Sequence, residues 1–219
     1  MKLVDTMDEQ RILEELLDET KPSVPVACQH LHYLQFTPFR YPARHATRFR
    51  QKGEREGVFY ASEAVSTCAA EIAFYRILFF LESPETEPPT TPFVMTAFGC
   101  KIETGSAVDL VSGQTDPLTD PFMNPVDYSP CHTLAKGVRE ASGAIIRFRS
   151  VRASNHAANV AILDCAAFSD SRIRQQEGWW FRFGPNGIFA VKRFGEGRME
   201  FNYDQFARDP RIAALLKQG

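Results

Sequence analysis

The pattern of apolar and polar positions along the chain predicts two long helices and a set of short strands. Helical spacing of apolar residues extends over 64–81 and again over 132–141. Short apolar or alternating runs, separated by glycine and proline, predict strands over 57–61, 93–98, 144–148, 160–163, 179–183, 188–193 and 199–202. Many short strands beside only two long helices indicate an α+β fold rather than a doubly wound sheet.

The ends and the loops carry weaker patterns. A short charged helix is predicted over 8–17 and a terminal one over 210–217. Prolines and aromatic residues over 22–42 favour irregular or short extended segments. The polar stretch 105–130 is predicted to be loop, and a loop of this length often borders a functional site. Between two predicted strands, residues 184–187 read Gly-Pro-Asn-Gly, which predicts a hairpin turn.

Composition narrows the class of protein. The 219 residues are 44% hydrophobic and 24% charged, so the chain can bury a sizeable core. Its 25 Lys+Arg against 27 Asp+Glu leave no basic excess, so direct nucleic-acid binding is not expected and local anion sites are the better interpretation. The N-terminus has no apolar leader, and no apolar run is long enough to span a bilayer. A cytoplasmic protein is therefore expected.

Cysteine usage points the same way. The five cysteines are scattered, odd in number and never arranged as Cys-x-x-Cys. This pattern argues against a metal site and against a disulfide scaffold. We therefore predict buried free thiols in a reducing compartment, and no bound metal.

Glu71 is the most informative single residue. Its neighbours are small or apolar, and no basic residue lies three or four positions away to pair with it. The carboxylate is therefore either exposed on a thin polar edge or held near a ligand. Ser62 is predicted to cap the helix that carries it, with Glu63 in the first turn.

Arginines and tyrosines cluster before this helix. A guanidinium group presents a planar fork of donors that suits phosphate, so Arg40, Arg48 and Arg50 are candidate anion contacts. Arg48 and Arg50 alternate around Phe49 and would share one face of an extended segment. The alternative is that they form a solvated strand face. Tyr41 and Tyr60 are candidate ligand contacts or simply packed aromatic residues.

A second group of polar residues follows the predicted strand 144–148. Ser150 stands at the strand end, where its hydroxyl could meet a ligand or close a turn. His156 and Asn159 follow in a polar segment. A Ser–His–Asp triad remains open on composition, but no Gly-x-Ser-x-Gly motif supports it.

In this order and spacing, the segments resemble the RES domain family, named for an arginine, a glutamate and a serine. The likeness covers roughly residues 30 to 200, and by it Arg40, Glu71 and Ser150 are the three name-giving residues. The segment 153–156 departs from the family, which commonly has glycine there. The segments that carry the resemblance are Pro38-Phe39-Arg40-Tyr41, Arg48-Phe49-Arg50, Gly57-Val58-Phe59-Tyr60-Ala61-Ser62-Glu63, Ala69-Ala70-Glu71-Ile72-Ala73-Phe74-Tyr75-Arg76, and Arg149-Ser150-Val151-Arg152 with Asn159 beyond.

The resemblance implies an ADP-ribosyltransferase-like fold, with small mixed or antiparallel sheets around an NAD cleft. Residues 30–219 would form this domain, and 1–29 an N-terminal helical extension. It also implies the toxin of a type II toxin–antitoxin system. The expected partner is an Xre-like helix-turn-helix antitoxin that occludes the cleft, and a homodimer is left open.

The implied reaction is cleavage of the nicotinamide–ribose bond of NAD by phosphorolysis or hydrolysis. NAD would be the substrate, inorganic phosphate an optional second substrate, and no further cofactor is expected. Arginines would hold the pyrophosphate, and a carboxylate would stabilise the oxocarbenium-like transition state. The predicted catalytic residues are Glu71, Arg40 and Ser150. The predicted ligand-binding residues are Tyr41, Arg48, Arg50, Tyr60 and Asn159.

Three alternatives stay open at this point. A protein ADP-ribosyltransferase would use the same cleft with a different acceptor. A non-catalytic ligand-binding module would keep the fold without the chemistry. An unrelated serine hydrolase would use Ser150 as its nucleophile.

Overall fold

A computed structural model describes residues 6–113, 116 and 120–216 of the chain. Within this part, the helices are α1 (Met7–Glu19), α2 (Tyr33–Arg40), α3 (Val65–Leu81), α4 (Ser129–Glu140) and α5 (Pro210–Leu216). The strands are β1 (Phe59–Ser62), β2 (Phe93–Gly99), β3 (Ala107–Asp109), β4 (Ile145–Arg149), β5 (Ala158–Ile162), β6 (Arg174–Gly184), β7 (Gly187–Lys192) and β8 (Arg198–Asn202). Across these described residues, every helix is too short or too polar to cross a membrane.

Two four-stranded sheets organise the fold. The first has the order β1-β5-β4-β3, with β3 parallel to β4 and the other pairs antiparallel. The second has the order β2-β6-β7-β8 and is antiparallel throughout. The predicted α+β class is confirmed, as is the hairpin between β6 and β7. In the first sheet, Ser62 of β1 lies opposite Asn159 of β5, so two polar side chains meet at one end of the sheet.

Helix α3 joins the core to this polar end. Its small and apolar residues Ala69, Ala73, Phe74 and Ile77 are buried against the second sheet. Alanine allows close approach of helix and sheet, and the large Phe74 fills the remaining space beside Phe206. Truncating a fully buried phenylalanine costs about 3–5 kcal/mol, so this contact fixes the helix firmly.

Several predictions about elements need correction. The segment 22–42 is not wholly irregular, because it contains α2. His32 begins this helix: its Nδ1 accepts from the Leu34 N–H at 3.2 Å, and its own N–H donates to the Gln35 side chain at 3.1 Å. This reciprocal capping satisfies N–H groups that would otherwise lack partners. The segment 105–130 likewise contains strand β3.

The predicted cap of α3 is also wrong. Ser62 belongs to β1, and Ala64 occupies the capping position without a side-chain hydrogen bond. The Ser62 hydroxyl donates to Asn159 Oδ1 at 2.5 Å instead, because sheet pairing places the two side chains opposite each other. The predicted helices 8–17 and 210–217 are confirmed as α1 and α5, except that Lys217 lies outside the described residues.

Two of the five cysteines are not free thiols. Cys28 and Cys165 form a disulfide that links two short 3₁₀ helices. The Cα atoms of the two cysteines are 5.5 Å apart, which is a normal separation for a disulfide. The prediction of free thiols throughout is therefore wrong, because partners 137 residues apart are not visible in local spacing. Cys68, Cys100 and Cys131 are free.

We expect alkylation of the denatured, unreduced protein to label three cysteines, and alkylation after reduction to label all five. Peptide mapping by mass spectrometry should find Cys28 and Cys165 in one cross-linked species. A Cys28→Ser variant provides the control, since it should expose Cys165 without reduction. Five labelled cysteines in the unreduced protein would contradict the pairing.

Arg147 ties the first sheet together from its exposed side. It donates to Glu63 at 2.5 and 3.1 Å and to Asp109 at 3.1 and 3.2 Å, so it connects β4 with β3 and with the start of α3. The hydrogen bond from Arg147 lowers the pKa of Glu63. The pKa of Asp109 falls to about 2, first because Ser112 and the Val111 N–H donate to it and then because of Arg147.

Removing this arginine should cost stability in a pH-dependent way. Since the pKa of Glu63 is lower in the folded state, its ion pair stabilises the fold above the ordinary glutamate value of 4.5 and is lost as the pH falls through the lowered pKa. We expect Arg147→Gln to reduce the free energy of unfolding by less than about 1 kcal/mol at neutral pH, since all three side chains are partly exposed. Urea titrations should show the difference from wild type shrinking in acid. A difference that stays constant would disprove the ionic origin.

Candidate functional site

A cavity of about 330 Å³ lies where β1, α3 and the ends of β4 and β5 meet. Its wall is mostly apolar and aromatic, with a small number of polar groups, which is the usual character of a small-molecule site. Among the described residues that line it are Arg48, Tyr60, Glu71, Tyr75, Tyr128, Phe148, Arg152 and Asn159. Ser150 is fully buried directly behind this wall.

The carboxylate of Glu71 is held through one of its oxygens. Oε1 accepts hydrogen bonds from Ser150 Oγ at 2.8 Å and from Asn159 Nδ2 at 2.7 Å. The other side of the Asn159 amide accepts from Ser62, which fixes the amide orientation. Oε2 has no hydrogen-bond partner within the described part of the chain. One oxygen therefore anchors the group, and the other remains available to a ligand.

A tight turn orients the Ser150 hydroxyl. Its oxygen accepts the backbone N–H groups of Arg152 at 3.1 Å and Ala153 at 2.9 Å, which leaves its single proton for Glu71. His156 Nδ1 lies 3.0 Å from the Ser150 carbonyl oxygen, not from the hydroxyl. The serine is therefore not arranged as a nucleophile with a histidine base. His156 itself has φ of +50°, the left-handed conformation that glycine adopts most easily.

Tyr60 forms hydrogen bonds to the residues on both sides of Arg48. Its hydroxyl accepts the Phe49 N–H at 2.9 Å and lies 2.9 Å from Thr47 Oγ1. Burial raises the pKa of Tyr60, against the effect of these two hydrogen bonds. The hydroxyl is thus used in hydrogen bonds within the protein, and the aromatic ring is the part of Tyr60 that is offered to a ligand in the cavity.

Arg48 is placed by contacts on two sides. Its Nη1 donates to the Phe122 carbonyl oxygen at 2.7 Å, and its guanidinium lies 4.8 Å from the centre of the Tyr128 ring. His132 of α4 also bonds to the carbonyl oxygen of Thr47 at 2.8 Å. Loop, helix and strand together hold this cation at the cavity wall.

The structure does not bring every predicted residue to the cavity. Arg40 ends α2, and its Nε donates to the Pro22 carbonyl oxygen. Arg50 donates to backbone carbonyl oxygens, including that of Tyr41 at 2.6 Å, and burial lowers the pKa of its guanidinium. Neither arginine lines the cavity, and Tyr41 does not line it either. Of the three predicted arginines, the structure places only Arg48 there.

Tyr75, Arg152 and Tyr128 also line the cavity and were not predicted as site residues from the sequence. Tyr75 lies one helical turn after Glu71, so the i, i+4 spacing on α3 could have revealed it. Burial is the main reason that the pKa of Tyr75 is raised. Arg152 stands two positions after Ser150 and was visible in the same motif. Tyr128 comes from the loop before α4 and carries no local signal.

The comparison with known families identifies the family of the chain. The model of the RES domain matches residues 24–184, which is well over half of the chain. The protein therefore belongs to the RES domain family, and the resemblance noted in the sequence is confirmed. No curated protein matches the chain. Across the described residues, no group of three or more potential ligands is arranged to hold a metal ion.

The Tyr60 hydroxyl offers a direct test of this arrangement. Tyr60→Phe leaves the buried Phe49 N–H without its acceptor, so we expect the free energy of unfolding to fall by about 1–2 kcal/mol. Chemical denaturation measures the change. Tyr41→Phe is the matched control, since the Tyr41 hydroxyl has no hydrogen bond within the described residues. Equal effects of the two substitutions would show that the Tyr60 hydroxyl does not hold the segment.

Proposed function

We propose that this protein is an NAD-consuming enzyme that cleaves the bond between nicotinamide and ribose. The observation that carries the proposal is the Glu71 carboxylate. Ser150 and Asn159 fix one of its oxygens, and Glu71 lines a cavity that also has aromatic rings and guanidinium groups in its wall. Family membership supports the same conclusion. The proposed fold type is that of the ADP-ribosyltransferases.

The chemistry requires a negative charge beside the ribose. When the bond between the anomeric carbon and the pyridinium nitrogen breaks, positive charge spreads over that carbon and the ring oxygen. A fixed carboxylate stabilises this charge without reorganising at the moment of reaction. Glu71 Oε2 is the atom proposed for this role.

The leaving group explains why one carboxylate suffices. Nicotinamide carries a positive charge while it is bonded to ribose and departs as a neutral molecule, so it needs no proton from a general acid. Glu71 is the sole carboxylate among the described residues that line the cavity. Glycosidases that expel an alkoxide use two carboxylates instead.

The remaining cavity groups suit the rest of the dinucleotide. Arg48 carries the charge and the donor geometry for the pyrophosphate. The rings of Tyr60, Tyr75 and Tyr128 offer flat apolar surface for a heteroaromatic ring and exclude water from the developing cation. Ser150 and Asn159 act by orienting Glu71.

The acceptor and the biological role belong to the same proposal. Inorganic phosphate or water would attack the ribosyl cation, and the protein would be the toxin of a toxin–antitoxin pair. Its partner would be a helix-turn-helix antitoxin that covers the cavity. Family membership supports this role.

We expect Glu71→Gln to lower nicotinamide release by about 10²–10³-fold, because the amide keeps the shape and loses the charge. Chromatography of nicotinamide measures turnover, and calorimetry with NAD should show binding close to that of wild type. Glu63→Gln is the control, since Glu63 pairs with Arg147 and does not line the cavity.

The products separate the remaining possibilities. ADP-ribose 1″-phosphate formed with added phosphate indicates phosphorolysis, ADP-ribose indicates hydrolysis, and label transferred from NAD to protein indicates a protein ADP-ribosyltransferase. Full nicotinamide release by Glu71→Gln removes Glu71 from the mechanism. NAD binding without turnover by the wild type would favour a non-catalytic module.

A further inference from the structure

A second cationic side chain at the cavity has donors that the protein does not use. The Arg152 side chain is only 4% exposed, yet it lines the cavity. Its Nη2 donates to the Pro125 carbonyl oxygen at 3.0 Å and lies 3.2 Å from Asp209 Oδ2. Within the described residues, Nε and Nη1 have no hydrogen-bond partner. Neither atom is wholly buried, and the residue that carries them lines the cavity.

The face of this guanidinium is covered. Its central carbon lies 3.5 Å from the centre of the Phe74 ring, which belongs to the buried face of α3. A stacked arginine presents its donors along its edge, and those donors need an acceptor when water is scarce. The acceptor that best matches a planar fork is an anion with several oxygens.

The C-terminal segment holds Arg152 in this position. The fully buried Asp209 accepts from Arg211 at 2.9 and 2.8 Å as well as pairing with Arg152. Gln205 donates to the Arg152 carbonyl oxygen at 2.8 Å. Burial opposes ionisation of Asp209, but the hydrogen bonds from Arg211 and the two positive charges outweigh it and lower its pKa. The family match ends at residue 184, so these supporting residues lie outside it.

We propose that Arg152 is an anion-binding residue of the cavity and that Asp209 is the positioning residue that holds it. The ligand is a phosphate group, either in the pyrophosphate of the dinucleotide or as free inorganic phosphate. The identity of that substrate rests on the proposed function. The anion site itself rests on the contacts of Arg152 and can be tested without turnover.

Binding of ADP-ribose and of inorganic phosphate, each measured by calorimetry on the whole chain, tests the assignment. We expect Arg152→Gln to raise the dissociation constant of the relevant anion about 10–100-fold, because a hydrogen bond to a charged group is lost. Asp209→Asn should raise it about 3–10-fold, since the guanidinium stays but is less well fixed. Arg139→Gln is the matched control: it removes a partly buried guanidinium that pairs with Glu54, lies outside the cavity lining, and should lower the melting temperature without changing either dissociation constant.

The two sources of phosphate give different outcomes. If Arg152 holds the pyrophosphate, the variants weaken ADP-ribose binding and raise KM for NAD, while KM for inorganic phosphate is unchanged. If it holds the attacking phosphate, the opposite pattern appears.

Two results would overturn the assignment. Arg152→Gln could bind both anions as the wild type does, or Arg139→Gln could weaken binding as much as Asp209→Asn, which would leave Asp209 a purely structural role. If Asp209→Asn does not fold, Arg152→Gln and Arg152→Lys decide the matter, because Asp209 keeps Arg211 in both. Anion binding lost in Arg152→Gln, together with no nicotinamide release by the wild type, would refute the proposed function and leave this site standing.

Discussion

The hydrogen bonds from Ser150 and Asn159 to one oxygen of Glu71 are the constraint on which the site depends. A carboxylate in an apolar helix is costly unless donors meet it, and these two come from residues 79 and 88 positions away in the chain. They reach it only when α3 packs beside the end of the first sheet and β1 pairs with β5 in the observed register. The site is therefore complete only when these elements have packed together.

The protein uses many of its polar groups on itself. The Tyr60 hydroxyl serves the 47–49 segment, Arg50 serves carbonyl oxygens of its own loop, and the Ser150 oxygen accepts two backbone N–H groups. Each of these hydrogen bonds occupies a polar group and in return keeps a neighbouring group in place. Glu71 Oε2 and the edges of the lining guanidinium groups are not fully occupied in this way. These are the groups that can contact a ligand in the cavity.

The α+β class and most helices and strands followed from periodicity, because long amphipathic or apolar segments specify their own local structure, whereas the short α2 and β3 did not. Glu71 was identifiable because it lacks a helical ion-pair partner, and Ser150 because it stands at a strand end. The prediction that Arg40 contacts the ligand found no support at the cavity, because adjacency to a tyrosine says nothing about where the last residue of α2 points. The capping by His32, the Cys28–Cys165 bridge and the contribution of Tyr128 all depend on contacts between distant or unusual partners, which no local pattern encodes.

Helix α3 has two faces, one lining the cavity and the other packed in the core. Cys68, Glu71, Ile72 and Tyr75 line the cavity, and their immediate neighbours Ala70, Ala73 and Phe74 are buried in the core. A repacking of the second sheet that rotates or shifts this helix would move the Glu71 carboxylate with it. Changes in the hydrophobic interior and changes in the shape of the cavity are consequently coupled in this molecule, so compensating substitutions should arise as pairs across the two faces of a single helix.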